Sequence, residues 1–130
     1  MLLNQTSEYA LRAMALLATT DGGPMRSEQL SEQAGIPIHY VSKVMRRLVV
    51  AGLVSSKRGR GGGFQLARPA ASIRLLDVLE ATDVVLQGGR CAFGTGDCDI
   101  SAPCALHPVW TKLKDDLLKW ATLNTLDDLS

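Results

Sequence analysis

The chain has 130 residues, 46% of them apolar and 5% aromatic, enough for one compact core or for a small domain with an extension used in dimerisation. No run reaches the roughly 18 to 20 consecutive apolar residues of a membrane helix, and the start has neither a basic flank nor a signal-type core, so a cytoplasmic protein without membrane contact is expected. The net charge of +1 hides a division: between Gln33 and Leu76 there is no acid, while Lys43, Arg46, Arg47, Lys57, Arg58, Arg60, Arg68 and Arg74 supply eight of the fourteen basic residues, a block suited to a polyanionic partner.

Tyr9, Ala10, Ala13, Met14 and Leu17 recur at helical spacing, with Thr6 or Ser7 as the N-cap and Asp21-Gly22-Gly23-Pro24 ending the pattern. Ser27 opens a short second helix that holds Leu30 and Ala34 and stops at Gly35. Ile36-Pro37 then turns the chain into a third helix starting near His39 and closed by Gly52, which is the layout of a helix-turn-helix. In that third helix Val41, Val44, Met45 and Leu48 form one apolar stripe, leaving His39, Tyr40, Ser42, Lys43, Arg46 and Arg47 largely on other faces. Such a helix packs on one side and fits the DNA major groove on the other, with N-terminal side chains at base edges and cations at phosphates.

Val54 to Arg58 and Phe64 to Ala67 read as two short strands around the hairpin Gly59-Arg60-Gly61-Gly62-Gly63, a wing with Lys57, Arg58 and Arg60 at its tip. The glycine run is not a nucleotide loop. No Gly-Lys-Ser/Thr ending is present, Phe64 stands where a dinucleotide fingerprint needs its last glycine, and a strand follows. Ser72 is expected to cap a fourth helix that buries Ile73, Leu75, Leu76 and Leu79, with Thr82-Asp83 near its end. Pro108 begins a last helix in which Trp110, Leu113, Leu117 and Trp120 alternate in steps of three and four, a seam that fits a partner helix.

Between these two helices lie the only cysteines, Cys91, Cys98 and Cys104, in a stretch rich in Gly, Asp, Ser and Pro and followed by His107. Three thiols among loop-forming residues point to one metal centre completed by a ligand from elsewhere, and an odd number of them argues against a disulfide framework. Zinc held by three cysteines and a histidine is an inorganic alternative, although the close Cys-x-x-Cys pairing of zinc sites is absent.

The expected architecture is mainly α with a small β-wing. It comprises a winged helix-turn-helix over residues 1–82, a cysteine-rich cluster-binding segment over 83–107, and a dimerisation helix and tail over 108–130. The opening Thr6-Ser7-Glu8-Tyr9-Ala10-Leu11-Arg12-Ala13-Met14, the wing from Val54 to Phe64, the cysteine segment through His107 and the closing Thr125-Leu126-Asp127-Asp128-Leu129 together resemble the winged-helix iron–sulfur regulators that include IscR and NsrR. The resemblance covers essentially the whole chain. It implies a homodimeric transcriptional regulator that binds double-stranded DNA at a pseudo-palindromic operator, represses from it, and senses iron–sulfur status, redox state or nitric oxide through a cluster on Cys91, Cys98 and Cys104.

By the same correspondence His107 matches the fourth ligand of IscR-like members, whereas Glu8 matches an aspartate that in NsrR-like members ligates the partner subunit's cluster. A 2Fe-2S cluster goes with His107 and a 4Fe-4S cluster with Glu8. Each residue also has a plain structural role open to it: His107 stands at a helix start, and Glu8 precedes Arg12 by one helical turn. Six residues separate Cys91 from Cys98, a spacing longer than that of IscR-like chains, so the interval does not choose the cluster. The resemblance further implies that His39, Tyr40, Ser42, Lys43 and Arg46 face the major groove and that Arg58 and Arg60 act at the wing, with Arg47 a further phosphate candidate. His39 and Ser42 depart from the IscR pattern. A cluster-free or zinc-binding winged-helix regulator, and an iron–sulfur redox or carrier protein with an incidental basic segment, are the competing readings. No activated serine, paired acid-base carboxylates or substrate motif is present, so no catalytic residues and no enzyme are expected.

Overall fold

The computed structural model describes residues 4–19, 23–84 and 107–129. Helix α1 runs Gln5–Thr19, α2 Ser27–Ala34 and α3 Ile38–Val50; strands β1, Val54–Lys57, and β2, Gly63–Leu66, follow; α4 is Leu75–Ala81 and α5 His107–Leu123. The fold is mostly helical with one two-stranded antiparallel sheet, in the register Val54↔Leu66 to Lys57↔Gly63, as the sequence predicts.

The start of α1 differs from expectation. Asn4, not Thr6 or Ser7, is the capping side chain: its Oδ1 accepts the Ser7 N–H at 2.7 Å. The Ser7 hydroxyl is buried and donates back to the Asn4 carbonyl at 2.8 Å, so this polar side chain is satisfied inside the first turn. Helix α2 stops where Gly35 takes a left-handed φ of 69° and its N–H bonds to the Ser31 carbonyl, a conformation that glycine adopts without a Cβ penalty. The Ser31 hydroxyl closes the same turn on the Ile36 carbonyl at 2.6 Å.

Val41, Val44, Met45 and Leu48 of α3 are all fully buried, against Ala10, Ala13 and Met14 of α1 and Leu30 of α2. That single stripe holds α3 in place and leaves most of its polar side chains at the surface.

A 3-10 turn, Ala70–Ser72, precedes α4, and Ser72 belongs to it rather than capping the helix. Its hydroxyl donates to the Pro69 carbonyl at 2.8 Å. The helix is opened instead by Asp77, whose carboxylate accepts the Arg74 N–H and the Arg74 guanidinium, each at 2.9 Å. Burial pushes the Asp77 carboxyl up, but the Arg74 hydrogen bonds and the charges of Arg74 and Arg68 outweigh it and hold it below the ordinary carboxylate range. A carboxyl depressed in the folded state contributes stability that is present above the unfolded-state pKa of about 3.9 and is lost as pH falls through the folded value. Asp77→Ala is therefore expected to cost about 1 kcal/mol at neutral pH. In urea titrations the gap from wild type should close as pH drops below about 4.

After α5 the chain turns back to the core. Leu75 N–H bonds the Asn124 carbonyl and Leu126 N–H the Ile73 carbonyl, both at 3.0 Å, and Arg74 pairs with Thr125 in an antiparallel bridge. Leu126, in a second 3-10 turn (Leu126–Leu129) that Asp128 caps through the Thr125 N–H at 2.8 Å, is fully buried with Ile73, Leu75 and Leu79.

Candidate nucleic-acid interface and metal-ligand residues

On α3 the polar residues outside the apolar stripe have nucleic-acid chemistry, and they share the surface with exposed Ile38 and Val50. His39, Ser42, Lys43 and Arg46 are exposed, and Tyr40 is half-buried. Tyr40 is held in place by aromatic contacts: its ring meets the buried Tyr9 edge-on at 5.4 Å and lies 5.3 Å from the His39 ring. Lys43 Nζ sits 5.6 Å from the Tyr40 ring centroid. The N-terminal turn of α3 thus presents a donor-rich surface backed by α1, and Tyr9, which the sequence shows only as part of a helical spacing, carries the Tyr40 ring.

Farther along α3, Lys43, Arg46 and Arg47 with Val50, Ala51 and Ala81 line an open cleft of about 520 Å³. Arg47 is engaged there by an ion pair to Asp83, which itself has a left-handed φ of 64° just after α4. Arg47 therefore ties the end of the recognition helix to the end of α4, so a phosphate would have to compete with Asp83 for it. Arg46, by contrast, makes no hydrogen bond or ion pair among the described residues. At the wing, Lys57, Arg58 and Arg60 are exposed, as are Gly59 and Gly61 between them.

Cys91, Cys98 and Cys104 lie outside the described residues, and His107 is described only as the first residue of α5. Among the described residues no three His, Cys, Asp or Glu side chains gather as a metal site. Glu8 lies in the first turn of α1, about half exposed, and its carboxylate accepts a hydrogen bond from Arg12 at 2.7 Å. Arg12 in turn donates to the Gly35 carbonyl at 3.4 Å, in the turn between α2 and α3, and its guanidinium lies 5.7 Å from the Tyr9 ring. Glu8 is thus in use within its own chain while still open to solvent. As a donor set, three thiols with one imidazole or carboxylate suit an iron–sulfur cluster, since soft sulfur binds iron–sulfide and the remaining position accepts nitrogen or oxygen.

The chain matches the Rrf2 family, described as iron-dependent transcriptional regulators, over residues 3–130. It is 36% identical over 130 residues to the HTH-type transcriptional regulator IscR of Escherichia coli (strain K12 / DH10B), covering 99% of this chain and 80% of that one. Among solved structures it is similar to T. potens IscR, with a TM-score of 0.72, 29% identity and coverage of 98% and 85% of the two chains. In fold it is also similar to CymR, the global cysteine regulator of B. subtilis, with a TM-score of 0.80 at 23% identity, covering 98% and 94%. These relatives are transcriptional regulators, not enzymes, and no helix of the described residues is long and apolar enough to cross a membrane. With its helix-turn-helix and wing, this chain belongs to the Rrf2 family of DNA-binding transcriptional regulators.

Proposed function

We propose that this regulator acts as a cytoplasmic homodimer on a pseudo-palindromic operator and holds an iron–sulfur cluster on Cys91, Cys98 and Cys104, with His107 as the fourth ligand and a 2Fe-2S centre. Residues 1–82 bind DNA, 83–107 carry the cluster and 108–130 supply the dimer contact through α5, while the tail after α5 packs back on the chain's own core. The observation that carries the reading is the joining of a basic sequence block without acids, which forms α3 and the wing, to the three-cysteine segment that connects α4 to α5. The description of the Rrf2 family as iron-dependent transcriptional regulators supports the same pairing of roles.

In this reading the N-terminal half of α3 enters the major groove, with His39, Tyr40, Ser42 and Lys43 at base edges and Arg46 toward phosphate. Arg58 and Arg60 meet the backbone or the minor groove from the wing. Two Rrf2 chains bring two such surfaces to half-sites one helical turn or a multiple of it apart. Support for the dimer comes from α5: Leu113 is 48% exposed, Trp120 45% and Leu123 78%, while Ala121 is buried toward the chain's own core. When bound, the cluster supplies a redox-active group sensitive to oxidants and nitric oxide. The Glu8 to Arg12 ion pair gives Glu8 a role within its own chain, but an exposed pair of this kind is worth only about 0.3 to 0.5 kcal/mol, so the choice of His107 rests on the resemblance to IscR-like members.

Two measurements test the reading. Anaerobically purified protein should contain iron and sulfide in near-equal amounts and run as a dimer; a colourless zinc protein, or one without metal, sinks the cluster assignment. For the interface, Arg58→Ala and Arg60→Ala are each expected to weaken binding to every duplex sequence and to lower the slope of log K against log salt by about 0.9. Unchanged slopes for both would remove the wing from the interface.

A further inference from the structure

Arg26 is the last residue before α2, and its main chain and side chain do different work. The Arg26 N–H donates to Gln29 Oε1 at 2.9 Å and completes the first turn of α2. The residue before it, Met25, exchanges both backbone hydrogen bonds with Phe64, at 2.9 and 2.7 Å, so the helix-turn-helix is stitched to β2. The approach is close. A Cβ on Gly63 would fall 2.6 Å from the Met25 carbonyl oxygen, and Gly63 has a φ of +135°, so only glycine fits.

Past this stitch the Arg26 guanidinium reaches the wing tip, where Nη2 donates to the Gly59 carbonyl at 2.8 Å. Gly59 lies between Arg58 and Arg60, and its carbonyl also accepts the Gly62 N–H at 3.0 Å. One oxygen therefore closes the wing turn and receives a cation from the start of α2. Strands of four residues make a hairpin that is marginal by itself, and the tip residues 57–61 are exposed, so local burial supplies little to fix the turn. A charge-assisted bond to the turn carbonyl supplies what burial does not.

We infer that Arg26 is a positioning residue for DNA binding. By anchoring the Gly59 turn to the helix-turn-helix, it holds Arg58 and Arg60 in place before the duplex arrives, so less ordering entropy is lost on binding. One guanidinium donor is used by Gly59, and a positioning role requires that the others do not bind phosphate, which the salt slope reads. The inference rests on the assignment of the wing to DNA, and its test keeps the two apart.

Trypsin cuts after Lys57, Arg58 and Arg60, and for a native protein the cutting rate follows the population of the opened turn when reclosing is fast. Arg26→Ala is expected to speed cleavage at the wing of the DNA-free protein about 5-fold, the equivalent of one ordinary hydrogen bond, and Arg26→Lys to restore most of the protection. On a labelled mixed-sequence duplex, Arg26→Ala should lose about 5-fold in affinity with an unchanged salt slope, and should lose nothing further in the Arg58→Ala/Arg60→Ala background. Unaltered wing cleavage, a reduced salt slope, or an equal loss in the wing-deficient background overturns the inference. A doubly substituted wing that binds the duplex as tightly as wild type overturns instead the DNA assignment beneath it.

Discussion

Serine at any one of Cys91, Cys98 or Cys104 is expected to abolish stable iron and sulfide incorporation, while the protein still folds and still binds duplex DNA. The change swaps one atom, so side-chain volume is nearly kept. What is lost is the soft, readily ionised sulfur that iron–sulfide requires; a serine hydroxyl is a hard donor that stays protonated near neutral pH. Folding should survive because α1 to α4 and Leu126, which build the core of the described residues, contain no cysteine in sequence. Binding through the proposed contacts of Lys43, Arg46, Arg58 and Arg60, all exposed, should survive for the same reason, with its salt dependence intact.

Operator affinity is a separate matter. If the cluster couples to DNA binding with a typical coupling free energy of about 1 to 3 kcal/mol, the Cys91→Ser protein should differ from the loaded wild type by about 5- to 150-fold at the operator and hardly at all on mixed-sequence DNA. Iron and sulfide analysis, visible absorption and anaerobic fluorescence anisotropy on both duplexes measure all three properties. Full cluster content in the three serine variants would sink the proposed ligand set. In parallel, with His107 as the fourth ligand, His107→Ala should lower cluster content and Glu8→Ala should leave it unchanged. The opposite pattern would transfer the fourth position to Glu8.

The parts of this molecule that were legible in its sequence are those written in short periods. Val41, Val44, Met45 and Leu48 follow the helical repeat, and all four are fully buried; the wing was legible because glycine marks its turn and apolar residues flank it. Caps were misread by a few residues for a physical reason. Asn4, Thr6 and Ser7 all carry capping side chains, and only the backbone path shows that Ser7 turns inward to the Asn4 carbonyl while Asn4 makes the cap. Ser72 likewise finds a nearer acceptor at Pro69, which leaves Asp77 to open α4.

Contacts between distant residues left no periodic signal. Arg47 reads as one more cation in a basic block, and only the fold brings it to Asp83. Arg26 precedes an ordinary helix start, and nothing local to it points to Gly59. Tyr9 reads as a core residue of α1, which it is, yet its edge contact also sets the Tyr40 ring on the reading helix. The C-terminal turn belongs with these, since Leu126 looks like one apolar residue in an acidic tail.

Leu126→Ala is expected to destabilise the DNA-binding core itself, by about 2 to 5 kcal/mol. The side chain is fully buried beside Ile73, Leu75 and Leu79, so its removal forfeits transfer energy and leaves a cavity. Its backbone N–H, with the Asn124 carbonyl, also closes the gap between Ile73 and Leu75 at the start of α4, where no helical hydrogen bond is available. Ending the chain at Leu123 removes the side chain and both hydrogen bonds, and should cost more than Leu126→Ala and expose the first turn of α4. Asp128→Ala, which removes the carboxylate that accepts from the Thr125 N–H and hydroxyl, should cost about 1 kcal/mol. Denaturant unfolding of the three variants orders them, and amide exchange at Leu75 reports the α4 end directly. A chain ending at Leu123 that kept wild-type stability would mean that residues 124–129 merely rest on the core; the hydrogen bonds across Ile73, Arg74 and Leu75 instead predict that DNA binding and stability fall together when they are removed.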